Sequence, residues 1–405
     1  MEKYVENNRL RSDKVNMFQR RIMGLVSYYG AKSKLLFAQK KFHKIELEMS
    51  KYQNKVYDHF DEIEKKLEKK NRQTGNTKST YRSFTRSSCN FVFPVITDKI
   101  TGENRPRPSF FKVSENEAQM ILEGRENEET KKDKYVISYI DIISLYIKEL
   151  KKYMNKKKSL DEKKKLSLLD DVKVFKSKYN GNFKEFWKNY NKKSNVLSAM
   201  YKYSCKMTVM LFNSFLSKGP LIMFSNYVKM EGLEILKIYM NLFGFSDYSE
   251  KKGNDYFRYT EYHGSISVED RKKNRKAFNN SKNVDGKLIK IILISPAGSE
   301  GISLENVRQV HILEPYWNEI RIDQLIARAV RQCSHKDLPM KDRIVDIFRY
   351  YAVRQSRNTT ADQDIRDLAK KKKELTDSFL FPIKQVSIDC ELNKEHNIED
   401  KNEEF

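Results

Sequence analysis

Cysteine is scarce in this 405-residue chain: four residues, Cys89, Cys205, Cys333 and Cys390, lie far apart and make no CxxC pair. That spacing implies neither a zinc ribbon nor a disulfide framework, and it fits a reducing, intracellular compartment. The six histidines form no HExxH or comparable pair, so no metal ligands are expected. No run of 18 apolar residues occurs, so no membrane span and no membrane partner are expected. The start, Met1-Glu2-Lys3-Tyr4, is charged and lacks the apolar core of a signal peptide.

Negative charge is in deficit as well. Lys and Arg number 79 against 55 Asp and Glu, for a formal charge of +24. Such a surplus favours polyanions, nucleic acid first. The runs Lys156–Lys158, Lys163–Lys165 and Lys370–Lys373 lack interleaved aromatics and read as solvated helix faces rather than grooves. With 39% apolar and 33% charged residues, the chain can build real cores under a well-hydrated surface.

The pattern along the chain divides it into four stretches. Residues 1–95 hold a strand signal at 42–49, then Ser50 with Gln53 three places on, a capping box opening a helix that runs to about Lys70. Residues 71–80 read as a loop and Phe91–Phe93 as core. Residues 96–200 read as a variable linker, loop-like over 95–130, followed by a Lys-rich helical insertion outside the core. Residues 201–355 alternate strands (221–224, 256–260, 288–294, 307–313, 344–348) with helices (229–242, 267–280, 319–333). That alternation predicts βαβ units and a parallel α/β sheet. Residues 356–405 read as a helix near 360–374 and a polar tail from Ser387, expected to be disordered. In such a sheet the working residues belong at the carboxyl ends of the strands.

Two stretches carry the chemistry: 295–304, SPAGSEGISL, and 314–332, EPYWNEIRIDQLIARAVRQ. Gln324, Arg328 and Arg331 recur at i, i+4 and i+7, one face of the expected helix 319–333. Arginines so placed can neutralise charge developing on a phosphoryl group. Spacing alone equally describes a surface helix with two solvated arginines.

The order of the segments separates these readings. QLIARAVR at 324–331 resembles motif VI, QxxGRxxR, of superfamily 2 helicases of the SNF2 type, with Ala327 in place of the usual Gly. Residues 295–304 resemble motif V and residues 221–225 motif IV. The segment from His263 to Asn279 resembles the stretch between them, and Trp317-Asn318 with Asp323-Gln324 resembles the SNF2 lead into motif VI. Further segments, RRIMGLVSYY at 20–29, EMSKYQ at 48–53 and FTRSSCNFVFP at 84–94, are similar to viral members, chiefly nucleoside triphosphatase I of poxviruses and giant viruses.

The resemblance implies a RecA-like second lobe, α/β with a parallel sheet, and ATP with Mg2+ as the nucleotide. It casts Arg328, Arg331 and Gln324 as catalytic, and Gly298, Glu300 and Gly301 as ATP-side residues. It places Ser225, Asn226, Ser295, Ser299 and Trp317 on nucleic acid, DNA in the first instance; Trp317 could equally pack under motif VI. His263 reads as a fold residue and Cys333 as a buried or neutral thiol. It implies action in viral early transcription, a viral RNA polymerase as partner, and a virion or viral-factory setting. Two motifs of that family are missing. Gly286-Lys287 is followed by Leu288 and preceded by Ser281 where a P-loop needs Gly, and Gly30-Ala31-Lys32-Ser33 also fails the pattern. Asp61-Glu62 and Asp161-Glu162 sit in charged helices, not after an apolar strand. A first lobe, from the same or another polypeptide, is therefore expected to hold most of the nucleotide. The alternative is a non-hydrolysing nucleic-acid- or polymerase-binding factor.

Overall fold

The computed structural model describes residues 5–28, 36–73, 82–125, 133–250, 256–296, 301–356 and 358–389. In chain order these form β1 (Val5–Glu6), β2 (Arg9–Leu10), α1 (Val15–Ile22), β3 (Gln39–Glu48), α2 (Lys51–Gln73), α3 (Ser83–Asn90) and α4 (Glu115–Leu122). Next come α5 (Lys134–Lys163), α6 (Leu168–Lys178), α7 (Phe183–Asn189), α8 (Asn195–Tyr203), α9 (Cys205–Ser214), β4 (Leu221–Phe224), α10 (Leu233–Leu242) and β5 (Ser246–Asp247). The chain continues with β6 (Arg258–Tyr262), α11 (Val268–Phe278), β7 (Ile291–Ile294), β8 (Gln309–Ile312), α12 (Glu319–Ala329), β9 (Ile344–Val353) and α13 (Ala361–Gln385).

Seven strands make one sheet in the order β3-β9-β8-β4-β7-β6-β5. Every pair in it is parallel. Parallel strands need crossovers that cover both faces, so central strands read as unbroken apolar runs. β4 (LIMF) and β7 (IILI) are buried at all four positions. Their side chains alternate between two cores. Leu221, Met223, Ile291 and Leu293 enter one, and Ile222, Phe224, Ile292 and Ile294 enter the other. This is the RecA-like helicase C-terminal fold, and the α/β expectation stands.

The first core is aromatic and helical. Tyr139, Ile143, Tyr146 and Leu150 of α5 join Phe175, Phe186, Phe212 and Tyr239 from α6, α7, α9 and α10. The stretch expected as an insertion outside the core therefore packs into it: one side of α5 is apolar at helical spacing, and it has the sheet-covering helices to lie against. The stretch expected as a loop over 95–130 contains α4, opened by a complete capping box between Ser114 and Glu117. At Ser50 only half of the expected box forms. Gln53 N–H donates to the Ser50 hydroxyl at 2.9 Å, but the Gln53 side-chain amide donates to Ser88 O at 2.9 Å and accepts from Cys205 N–H at 3.3 Å. A buried amide with two tertiary partners does not turn back to its own helix. α2 still forms, to Gln73. β3 runs from 39 rather than 42, and α13 extends to 385. The loop expected at 71–80 lies mostly outside the described residues, as do Cys390 and the tail beyond 389.

Candidate nucleic-acid and nucleotide interface

The loop after β4 turns back on itself within residues 225–232. Gly232 N–H donates to Lys229 O at 3.0 Å and Leu233 N–H to Tyr227 O at 3.0 Å. A Cβ on Gly232 would stand 2.1 Å from Tyr227 O, so the turn admits only glycine. Arg105 clamps the loop from outside through a buried two-point ion pair with Glu231, at 2.7 and 3.0 Å.

From inside, the loop is held by Glu314, two residues past β8. The Ser225 hydroxyl donates to Glu314 Oε1 at 3.0 Å, Asn226 N–H donates to the same oxygen, and Asn90 Nδ2 of α3 donates to Oε2 at 3.3 Å. Burial pushes the Glu314 carboxyl above its ordinary range, against the pull of Lys206 and of these donors. Near this carboxylate sit polar atoms sealed from water with no partner among the described residues: both side-chain atoms of Asn226, the Ser295 hydroxyl, Asn90 Oδ1 and the Tyr227 hydroxyl. Native interiors rarely leave such atoms unmet unless a ligand or water meets them.

Sequence reasoning placed Ser225, Asn226 and Ser295 on nucleic acid. The structure gathers them at the carboxyl ends of β4 and β7, with the Ser225 hydroxyl already committed to Glu314. Trp317 is half-buried, and its ring lies 5.4 Å from the Arg86 guanidinium. Arg86, Asn90 and Glu314 were given no role by sequence reasoning. Thr85 through Asn90 are all buried in α3, although the string TRSSCN is polar. The one hint is the apolar Phe91-Val92-Phe93 directly after it.

α12 starts at this cluster. The Asn318 side chain caps it by accepting from Ile320 N–H at 3.0 Å, and Glu319 pairs with Arg349 of β9 at 2.7 Å. Eleven residues span about 16 Å, which carries the helix away from Trp317 to its other end. There the structure corrects an expectation. The helix stops at Ala329 and Val330 leaves helical geometry, at φ −121°, ψ 67°. Arg331 is therefore not on the helical stripe with Gln324 and Arg328; it stands in the turn beyond. Its guanidinium donates to the Ser303 hydroxyl, and Arg328 O accepts from Leu304 N–H at 3.1 Å. The motif VI segment is thus pinned to the end of the motif V segment by contacts that a longer helix would prevent. Gln324 is exposed and Arg328 half-buried. Gly301 occupies the left-handed region at φ +70°, whereas Gly298, Ser299 and Glu300 lie outside the described residues. Cys333 is exposed rather than buried, also at positive φ.

His263, expected as a fold residue, is buried against Glu261 at 2.8 Å, and Glu261 in turn holds Lys237 at 3.0 Å. Burial opposes ionisation of Glu261, but His263 and Lys237 hold its carboxyl below the ordinary range. Among the described residues no group of three His, Cys, Asp or Glu side chains is arranged to hold a metal, and no helix is long and apolar enough to cross a membrane.

A parallel sheet with motifs IV, V and VI in order at its carboxyl edge, and two arginines at the far end of one helix, defines a helicase-type RecA lobe. Residues 202–333 match the family model of the helicase conserved C-terminal domain, and the chain contains that domain. Three viral proteins are similar to it. It is 39% identical to a protein named as a putative ATP-dependent RNA helicase of Acanthamoeba polyphaga mimivirus, over 95% of this chain and 48% of that protein. It is 31% identical to nucleoside triphosphatase I of Heliothis armigera entomopoxvirus, over 52% of this chain and 32% of that protein. It is 29% identical to a termination factor NPH-I homolog of African swine fever virus, over 47% of this chain and 33% of that protein. The chain spans about half, or a third, of the length of these relatives.

Proposed function

We propose that this chain is the second lobe of a nucleic-acid-dependent ATPase of the SNF2 helicase type that acts in viral early transcription, at termination or transcript release. ATP sits between it and a first lobe that carries the P-loop and the acidic motif and holds most of the nucleotide with its Mg2+. Arg328 and Arg331 neutralise charge on the transferred phosphoryl group and Gln324 helps orient them, while Gly301, with Gly298 and Glu300, borders the nucleotide. Asn226, Ser295 and Trp317, with Ser225 and Ser299, border the nucleic-acid strand, and closure of the lobes moves the protein along it.

The observation that carries this reading is the far end of α12. Two arginines are presented there, Arg328 in the last turn of the helix and Arg331 just beyond it, fixed to the motif V segment by the Leu304–Arg328 and Ser303–Arg331 hydrogen bonds. A module that only binds has no use for them. The rival reading, a factor that binds nucleic acid or an RNA polymerase without turnover, draws on the +24 charge. The experiment is nucleic-acid-stimulated ATP turnover by the purified chain, alone and with a polypeptide bearing the P-loop and acidic motifs. Turnover restored by that polypeptide and lost in Arg331→Ala supports the two-lobe ATPase. Binding of nucleic acid with no turnover in either case supports the rival.

A further inference from the structure

Arg86 is 6% exposed, yet its guanidinium makes no hydrogen bond or ion pair among the described residues. That guanidinium lies 5.7 Å from the centre of the Tyr227 ring and 5.4 Å from that of Trp317. None of its nitrogens is among the atoms sealed from water without a partner. The guanidinium lies over both rings and its N–H groups are uncommitted among the described residues, so its planar fork can grip two oxygens of a phosphate at once. A cation this deeply placed is costly unless an anion meets it.

Glu314 lies within electrostatic reach of Arg86. It is not a hydrogen-bonded partner, because its oxygens are met by Ser225, Asn226 N–H and Asn90. A cation 6% exposed, with its N–H groups unused and none of its nitrogens sealed off, describes a place for an oxyanion.

We propose that Arg86, lying over the rings of Tyr227 and Trp317, seats a backbone phosphate of the nucleic-acid strand. The proposal rests on the nucleic-acid-binding reading above and adds a residue from α3, outside the segments that carry it. The phosphate is a phosphodiester of the strand and not the terminal phosphate of ATP, because Arg328 and Arg331 lie at the opposite end of α12, about 16 Å from this cluster by the length of the helix.

The test is fluorescence-anisotropy titration of the full chain with a fluorescein-labelled single-stranded oligonucleotide, in DNA and RNA forms, over a series of salt concentrations. Arg86→Gln weakens binding roughly tenfold and lowers the log–log salt slope by about 0.7, the share of one phosphate on a single strand. Arg86→Lys keeps the slope and loses affinity, because an ammonium cannot bridge two oxygens in a plane. If Arg86→Gln does not fold, the wild-type chain is labelled with phenylglyoxal and read by peptide mass spectrometry. Labelling of Arg86 that oligonucleotide blocks supports the proposal. No labelling, or labelling that oligonucleotide leaves unchanged, overturns it. Unchanged affinity and slope in a folded Arg86→Gln also overturn it, whatever happens to ATP turnover, and leave Arg86 as a structural cation near Glu314. No binding of any oligonucleotide by the wild-type chain instead defeats the nucleic-acid reading itself, and this proposal with it.

Discussion

The two ends of α12 are built on opposite terms. At its start, Asn318 caps the helix, Glu319 pairs with Arg349, Trp317 meets Arg86, and Glu314 gathers three donors from two other elements. At its end, Arg328 and Arg331 reach towards the surface, and one side-chain bond and one backbone bond hold the turn to Ser303 and Leu304. The start is a fastening, in which most groups already have partners inside the protein. The end is an offering, in which charge is placed where a second body can take it. A helix can serve both purposes because its length separates them: rigidity gained at the buried end positions the exposed one.

The largest way to break this contrast is at the open end. Arg331→Ala, assayed with a first lobe and nucleic acid, lowers ATP turnover by about 10³–10⁵-fold while leaving the melting temperature unchanged, as judged by calorimetry. A comparable loss of stability would show that Arg331 belongs to the fastening instead.

At the fastened end the expected effect is on folding. Glu314→Ala leaves the Ser225 hydroxyl, Asn226 N–H and Asn90 amide buried without their acceptor, at a cost of about 2–4 kcal/mol, read by urea denaturation. A change below roughly 0.5 kcal/mol would mean that water already shares these bonds.

His311 tests whether the buried character extends down β8. It is fully enclosed, hydrogen-bonded to the Tyr350 hydroxyl at 2.9 Å and Gln309 at 3.0 Å, and stacked on Phe348. Burial pushes its pKa down to about 3, offset only in part by Asp346. The unfolded chain takes up a proton at His311 below its ordinary pKa of about 6.5, whereas the folded chain does not until about pH 3. Its contribution is thus complete above the unfolded value and is lost as pH falls through that window, at about 1.4 kcal/mol per pH unit. The stability difference between wild type and His311→Gln narrows at that slope on acidification, and a difference independent of pH refutes the burial argument.

The smallest effect belongs to the cap. Asn318→Ala costs about 1 kcal/mol in urea denaturation. If the start of α12 positions its end, the same change also lowers turnover in the two-lobe assay without altering oligonucleotide affinity.

Much of the sheet and of α12 is legible in the residue pattern alone. The strands β4 and β7 announce themselves as short apolar runs, because a strand covered on both faces has no polar side to show. α12 announces itself by Ile322, Leu325, Ile326 and Ala329 at helical spacing, all buried. The order of the motif-like segments points to the lobe. Legibility fails where polar residues are inside. α3 carries no apolar stripe to mark it as a buried helix, since Thr, Arg, Ser and Asn are usually hydrated, and β5, two residues long, carries no pattern to read.

By itself, then, the sequence determined the central strands, the helices that alternate with them, the order of the segments at the carboxyl edge, and the positive charge that calls for a polyanion. These follow from periodicity and composition, which are local. Tertiary structure alone decided that Asn90 reaches Glu314 across 224 residues of chain, that Gln53 bonds to Ser88 rather than closing its own cap, and that α12 stops before Arg331. Each of those outcomes is a choice among hydrogen-bond partners. A buried donor takes whichever acceptor the packed chain brings within about 3 Å, and only folding brings it there.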